Sequence, residues 1–393
     1  MVANIAELEA TARALTAPGK GLLASDESPA TIGKRLEKAG IGNTPEARRA
    51  YRELFYTAPG IGAAFSGVIM HKETLGQRVA GGARFVDVLA AQGVLAGVKV
   101  DEGLVPLEGG EPGETSTRGL ETLEASCREY AAAGARFAKW RAALKVVEGS
   151  CPSQLAVETN ATQLAEYAAI CQSAGLVPIV EPELLIDGPH SAEVFAEASE
   201  RVICACVAAL WRRGVALEAC LLKPQMVVQG TECAASKAGP KAVAAATLRV
   251  MRRAVPPAVA GIMFLSGGQS EEEATLNLDA INKMAQAEGR APWALSFSFG
   301  RGLQASVLKL WSDAPPSRAA EARAMAAALA RANAAAARGA YAGPHPSLLG
   351  GSLHETFRGW GGDAAAAAAA VAAGRPAANL APGAGAAAAS AAR

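Results

Sequence analysis

Eight short runs rich in Val, Ile, Leu, Phe and Ala, at residues 21–24, 63–70, 95–100, 137–144, 176–180, 219–222, 261–265 and 293–297, are separated by longer stretches of helical periodicity. Strands that alternate with helices form βαβ units and pair in parallel. Eight units over about 280 residues predict an α/β fold, a single closed (β/α)8 barrel. An open doubly wound sheet is the competing architecture. It usually carries GxGxxG after its first strand, and here the first run is followed by Ser25-Asp26-Glu27-Ser28. Helix starts are ordinary: Asn43-Thr44-Pro45-Glu46 and Ser270-Glu271-Glu272-Glu273 each place a capping side chain before acidic first-turn residues.

The rest of the chain divides by composition. Of the 33 residues from 361 to 393, 19 are Ala, with Asp363, Arg375 and Arg393 the only charges. Such a segment buries too little surface to offset its ordering entropy, so a disordered tail is expected. The barrel is expected over 1–340 and a C-terminal arm over 341–360. With 38 basic and 37 acidic residues, and no basic block interleaved with aromatics, nucleic-acid binding is not expected. The strongest apolar run, 202–211, is far shorter than the roughly 18 residues a membrane helix needs. Seven cysteines without CxxC spacing read as reduced thiols, and Glu7 and Glu9 are unlike an acid-poor transit peptide. A cytoplasmic location is expected, with the chloroplast stroma as the alternative.

Catalytic groups of such barrels sit where strands end. The ends here carry Asp26, then Lys99 and Asp101, then Lys139 and Arg141, then Glu181 and Glu183, then Lys223. A single charge at a strand end is commonly a solvated rim group, but these converge. Lys139 lies among Phe137, Ala138 and Trp140, where an unpaired ammonium is costly, so it should face charged partners in the mouth. The last two strands end instead in Ser266-Gly267-Gly268 and Ser298-Phe299-Gly300-Arg301, backbone-rich turns plus a guanidinium suited to a phosphate. A second anion site is expected near Ser28, Thr31, Lys34 and Arg35.

Lysines beside carboxylates suit amine chemistry on a carbonyl. A lysine nucleophile must be neutral, and a pKa of about 10.4 leaves roughly one part in 10³ neutral at pH 7, so desolvation or a neighbouring cation must assist. Lys223, apolar on one side and followed by Pro224, is chosen as nucleophile and Lys139 as its neighbour, although periodicity does not rank them. Asp26, Glu181 and Glu183 would shuttle protons. A metal route would need clustered histidines, whereas His71, His190, His345 and His354 are dispersed and read as surface or structural groups. No metal or other cofactor is expected.

The runs LLASDES (22–28), GVKVDEGLVPL (97–107), RFAKWR (136–141), LVPIVEPEL (176–184), LLKPQM (221–226), PPAVAGIMFLSGGQSEEEATLNL (256–278) and PWALSFSFGRGLQ (292–304) resemble the eukaryotic class I fructose-bisphosphate aldolases. The resemblance runs in order from about residue 5 to 360. It implies a TIM barrel, a homotetramer, and metal-free reversible cleavage of fructose 1,6-bisphosphate in glycolysis and gluconeogenesis. By motif it implies Lys223 as the Schiff-base lysine and Glu181 as the main acid/base. Glu183 would assist dehydration, Lys139 would stabilise charge and Asp26 would assist C3–C4 cleavage. Ser266, Gly267, Gly268, Ser298, Gly300 and Arg301 would serve one phosphate; Ser28, Thr31, Lys99 and Arg141 the other end of the sugar.

Three departures stand out. Phe299 occupies a position where tyrosine is common, and Glu102 one where lysine is common. Trp360 stands at the family's terminal tyrosine, which protonates the enamine, and the chain runs on. Slower protonation, or protonation by Tyr341 or water, is expected. The alternatives are a transaldolase or monophosphate aldolase, and a non-catalytic scaffold or cytoskeletal-binding protein on the same barrel.

Overall fold

The computed structural model describes residues 4–289, 291–315 and 317–355. Among them the strands are β1 (Gly21–Ser25), β2 (Phe65–Met70), β3 (Leu95–Lys99), β4 (Leu104–Pro106), β5 (Thr115–Thr117), β6 (Phe137–Leu144), β7 (Val177–Leu184), β8 (Leu221–Leu222), β9 (Gly261–Phe264) and β10 (Ala294–Phe299). Eight of these close into a parallel barrel in the order β1, β10, β9, β8, β7, β6, β3, β2, as the alternating runs predicted. The pair β4 and β5 is an antiparallel hairpin in the connection between β3 and β6, and nothing in the runs foretold it. The strand expected over 219–222 is shorter: Ala219 ends a 3-10 turn (Leu217–Ala219) and β8 holds Leu221 and Leu222 alone. Helices around the barrel begin where short polar side chains cap them. Ser28, Thr44, Ser153, Ser191 and Ser270 each accept the N–H three residues on, and Ser270 with Glu273 completes a capping box.

Side-chain alternation along the strands builds two cores. Leu22, Ala24, Ile69, Phe137, Val177, Ile179, Leu221 and Met263 fill the barrel interior. Their neighbours in sequence, among them Leu23, Val68, Ala138, Trp140, Val180, Leu222 and Ile262, pack outward against the helices. Trp140, for example, stacks on Tyr167 of helix Gln154–Ser173 at 5.6 Å. A residue two positions beyond an interior apolar side chain therefore also points inward, one layer nearer the strands' C-terminal end. Asp26 follows Ala24, Lys139 follows Phe137, Glu181 follows Ile179 and Lys223 follows Leu221 in this way.

The run at 176–180 suggested that Glu181 and Glu183 lie beyond their strand. Instead β7 continues in register with β6, Arg141 opposite Glu181 and Ala143 opposite Glu183. Pro182 reads as a breaker, yet its missing donor costs nothing there. Val180 presents its backbone to the β8 side, where its carbonyl accepts Lys223 N–H at 2.8 Å, so Pro182 faces that side too, and β8 has already ended at Leu222.

Candidate active site

The four inward groups form one connected, electrically neutral layer. Lys139 Nζ lies 2.7 Å from Asp26 Oδ2 and 3.1 Å from Glu181 Oε2, while Lys223 Nζ lies 2.9 Å from Glu181 Oε1. Relative exposures of 8% for Asp26, 3% for Lys139, 4% for Glu181 and 4% for Lys223 mean that all four are desolvated. Two ammoniums and two carboxylates cancel, which is the condition for burying such groups together. Burial by itself would raise the Asp26 pKa, but Lys139 and Lys223 outweigh it and hold the carboxyl well below the ordinary range. Burial would likewise lower Lys139, and Asp26 and Glu181 override it, so this ammonium is held firmly protonated.

Lys139 was expected to act on Lys223 as a bare neighbouring cation. The structure instead interposes Glu181, one oxygen towards each lysine, because Glu181 rises from the strand between β6 and β8. Glu181 Oε1 is thus within hydrogen-bond reach of the amine that would lose a proton, and Lys139 braces the other oxygen.

The rim carries a second tier of pairs. Lys99 Nζ contacts Asp101 Oδ1 at 2.5 Å, and the Asp101 carbonyl at 2.7 Å. Arg141 Nε donates to Glu183 Oε2 at 2.5 Å. Burial pushes Glu183 up, but Arg141, with Lys223 and Arg301 behind it, keeps it below the usual carboxylate value. Arg141 and Lys99 are therefore engaged with carboxylates rather than free. His71, two residues beyond the interior Ile69, caps helix Lys72–Leu75 by accepting the Glu73 N–H at 3.2 Å. Burial, then Arg52 and Lys99, lower it to about 4, so it is a neutral imidazole near the mouth. The sequence reading treated it as surface or structural; its period-2 relation to Ile69 was the available signal.

The glycine-serine turns pack where β9 and β10 end. Gly302 N–H, in the first turn of helix Arg301–Asp313, points at Ser266 Oγ at 3.4 Å. Gly267 accepts from Gln225 Nε2 at 2.9 Å, and a Cβ there would fall 2.5 Å from that nitrogen. Gly268 has φ +73°, and a Cβ on it would meet Ile186 Cδ1 at 2.2 Å, so only glycine fits this turn without strain. Ser298 alternates with the outward Phe297 and Phe299, and its buried Oγ has no hydrogen-bond partner among the described residues. Gly300 precedes the helix that carries Arg301.

On the far side of the mouth, Ser28 caps helix Pro29–Lys38 and its Oγ lies 3.0 Å from Thr31 Oγ1. Arg35 from the same helix pairs with Glu27 at 2.9 Å and with Glu355 at 3.1 Å. Sequence reasoning missed Glu355 altogether. Burial and the nearby Arg35 and Arg141 guanidiniums lower the Arg301 pKa, although Glu355 and Glu183 oppose them. Arg35, Arg141 and Arg301 thus gather at this end of the mouth, each with a carboxylate partner in Glu27, Glu183 or Glu355.

Tyr341, offered as a substitute proton donor, packs elsewhere. Its N–H donates to Asp279 Oδ1 at 2.9 Å and its ring meets His345 edge-on at 6.0 Å. Asp279 is eight residues along helix Glu271–Glu288, about 12 Å from the helix start at the mouth at 1.5 Å per residue. Trp360 and the alanine-rich 361–393 segment lie outside the described residues. Among the described residues, no three His, Cys, Asp or Glu side chains gather as a metal-ligand set, and no helix is long and apolar enough to cross a membrane.

Comparison with known proteins agrees with this architecture. The family described as fructose-bisphosphate aldolase class-I matches residues 7–355. Fructose-bisphosphate aldolase of Dictyostelium discoideum is 53% identical over 307 residues, 78% of this chain and 84% of that protein. Cytosolic fructose-bisphosphate aldolase 6 of Arabidopsis thaliana is 54% identical over 305 residues, 78% and 83% of the two chains. A solved structure of fructose-bisphosphate aldolase from Plasmodium falciparum, in a ternary complex with TRAP and a small-molecule inhibitor, superposes with a TM-score of 0.83 at 46% identity. It covers 86% of this chain and 96% of that one. A barrel with this buried lysine-carboxylate layer, and a family match over most of its length, make the chain a member of the class I fructose-bisphosphate aldolase family.

Proposed function

We propose that this protein reversibly cleaves fructose 1,6-bisphosphate to dihydroxyacetone phosphate and glyceraldehyde 3-phosphate through a Schiff base on Lys223. The observation that carries the reading is Glu181 bridging Lys223 and Lys139 inside a desolvated, neutral layer. Glu181 accepts a proton from Lys223, whose neutral amine adds to the C2 carbonyl to give a carbinolamine. Glu181, assisted by Glu183, returns protons to the departing hydroxyl, which leaves as water, and an iminium remains. Lys139 stays charged throughout and stabilises the developing negative oxygen. Asp26, held ionised, takes the C4 hydroxyl proton as the C3–C4 electron pair moves into the iminium. The aldehyde departs, an enamine is left, and protonation at C3 followed by hydrolysis releases the second product. No step calls for a metal or other cofactor.

Ser266, Gly267, Gly268, Ser298, Gly300 and Arg301 receive one phosphate in this reading, and Ser28, Thr31, Lys99 and Arg141 the other end of the sugar. The bound phosphate would loosen the Arg141–Glu183 and Lys99–Asp101 pairs. A homotetramer in the cytoplasm completes the proposal, the location supported by relatives named cytosolic. The test is borohydride reduction in the presence of dihydroxyacetone phosphate, followed by peptide mapping. A stable adduct on Lys223 is expected; its absence, or an adduct on another lysine, overturns the mechanism. A protein that serves only as a scaffold gives no adduct.

A further inference from the structure

The chemistry above leaves His71, at the barrel mouth, unused. Its backbone is extended, with φ −74° and ψ 150°, so it continues the path of β2 past Met70. The register pairs Ser25 with Met70 and Met70 with Val98, which places His71, one step on, between Asp26 and Lys99. By alternation it shares the inward face of Ile69. The ring Nδ1 accepts the Glu73 N–H at 3.2 Å, and this obliges the neutral imidazole to carry its proton on Nε2. Nε2 has no hydrogen-bond partner among the described residues and is not enclosed. The Glu73 carboxylate is turned into Arg48 at 2.5 Å and Arg52 at 3.4 Å, so it does not pair with the ring. Arg52 is itself anchored, donating to the Glu27 carbonyl at 2.7 Å and to Thr74 Oγ1 at 2.6 Å. Burial, Arg52 and Lys99 keep the imidazole uncharged against the weaker pull of Glu73 and Asp26. His71 is thus an N–H donor beside Asp26 that keeps its proton and is oriented by the backbone.

We infer that His71 is a further catalytic residue of the aldol step, donating its Nε2–H to the oxygen on C4 of the sugar. The inference rests on the reading of Lys223 as the Schiff-base lysine. In cleavage the C4 hydroxyl proton passes to Asp26, the C3–C4 electron pair moves into the iminium, and negative charge develops on the C4 oxygen as it becomes the aldehyde. Neighbouring strands lie about 4.8 Å apart, so a hydroxyl held by Asp26 is within reach of the side chain on the adjoining strand. A fixed N–H at that oxygen stabilises the developing charge, and in the reverse direction it polarises the aldehyde carbonyl for attack by the enamine. No bond to the imidazole forms or breaks, and the proton stays on Nε2. Because the ring is neutral, it does not draw Asp26 away from Lys139. Schiff-base formation and proton exchange at C3 belong to the dihydroxyacetone half of the sugar and make no use of the ring.

The test uses the full chain and two variants. H71N keeps an oxygen that can accept the Glu73 N–H but has no donor at the reach of Nε2, and H71F removes both. Two rates are compared. One is kcat/KM for cleavage of fructose 1,6-bisphosphate, which covers every step through release of the aldehyde and is blind to the later protonation of the enamine. The other is exchange of the C3 proton of dihydroxyacetone phosphate with deuterated water, read by proton NMR, which needs the Schiff base but no aldehyde half. Loss of one donor to a developing oxyanion costs 10²- to 10³-fold in an enclosed site, so for this half-buried ring roughly a 10- to 100-fold fall in kcat/KM is expected in both variants, with exchange within about twofold of wild type. Cleavage within about twofold of wild type in H71N overturns the inference, whether or not H71F is impaired, because only the cap or the packing would then matter. Exchange that falls in step with cleavage in H71N overturns it too, since the ring would then act on the site as a whole. Borohydride trapping is scored on the wild type in parallel. An adduct on Lys223 with no H71N effect refutes the role of His71 and leaves the Schiff-base reading standing, whereas a missing adduct refutes that reading.

Discussion

Replacing Lys139 by methionine removes the one group that contacts both Asp26 and Glu181. The side chain is of similar length, so packing against the interior is kept, but the layer changes from neutral to a net negative charge. Breaking a buried ion pair by removing one partner typically costs about 3–5 kcal/mol, because the remaining charge stays desolvated. With unfolding entropy of roughly 2.1 cal/mol/K per residue over about 350 residues, each kcal/mol is about 1.4 °C in Tm, which predicts a fall of about 4–7 °C at pH 8. The cost should depend on pH. In the wild type Asp26 is depressed, so its contribution is fully present above the unfolded value of about 3.9 and is lost only as pH falls through the lower folded value. Lys139 is raised, so its contribution is fully present below about 10.4 and is lost only in strong alkali. The wild type is therefore flat in these two groups between pH 5 and pH 8. In Lys139→Met, burial raises Asp26 against only Lys223 and Lys99, its direct ion-pair partner being gone, and the variant loses stability as pH rises from about 4 through that raised value. Calorimetry at fixed protein concentration should find a smaller Tm gap between the two proteins at pH 5 than at pH 8. An equal gap at both pH values, or none, refutes the view that Lys139 neutralises a desolvated carboxylate pair.

Lys223→Arg keeps a cation on Glu181 but cannot form the Schiff base, so borohydride trapping should vanish and kcat fall by at least about 10³-fold with Tm nearly unchanged; residual trapping would place the nucleophile elsewhere. Gly268→Ala forces a side chain into a turn with φ +73° and 2.2 Å from Ile186, and should cost about 1–3 kcal/mol and raise KM for the bisphosphate; a variant as stable and as tight as wild type contradicts this geometry. Truncation after Trp360, or Trp360→Tyr, should alter cleavage turnover if enamine protonation limits it, and identical kcat in both proteins would show that another group supplies that proton.

The barrel was readable because eight strands repeat the same apolar pattern at similar spacing, a signal local to each run. Where the reading failed, a non-local neighbour decided. Glu181 and Glu183 read as groups at the end of the run 176–180, and they lie within the strand because β6 continues beside it while β8 stops. The hairpin of β4 and β5 has three residues on each side, too few to show a period. The run at 219–222 reads as one strand, yet Ala219 closes a 3-10 turn and only Leu221–Leu222 pair as β8.

The candidate site divides along the same line. Residue identity and alternation determine that Asp26, Lys139, Glu181 and Lys223 share the face of Ala24, Phe137, Ile179 and Leu221, and this much follows from a period of two. Barrel closure decides which of them touch. Strand order sets β7 between β6 and β8, and that is why Glu181 bridges two lysines that sequence reasoning had set directly against each other. Arg35 and Glu355, 320 residues apart, carry no local mark of their pairing. An ion pair needs only two opposite charges brought within a few ångströms, and that proximity is a property of the closed barrel and its arm rather than of any stretch of chain.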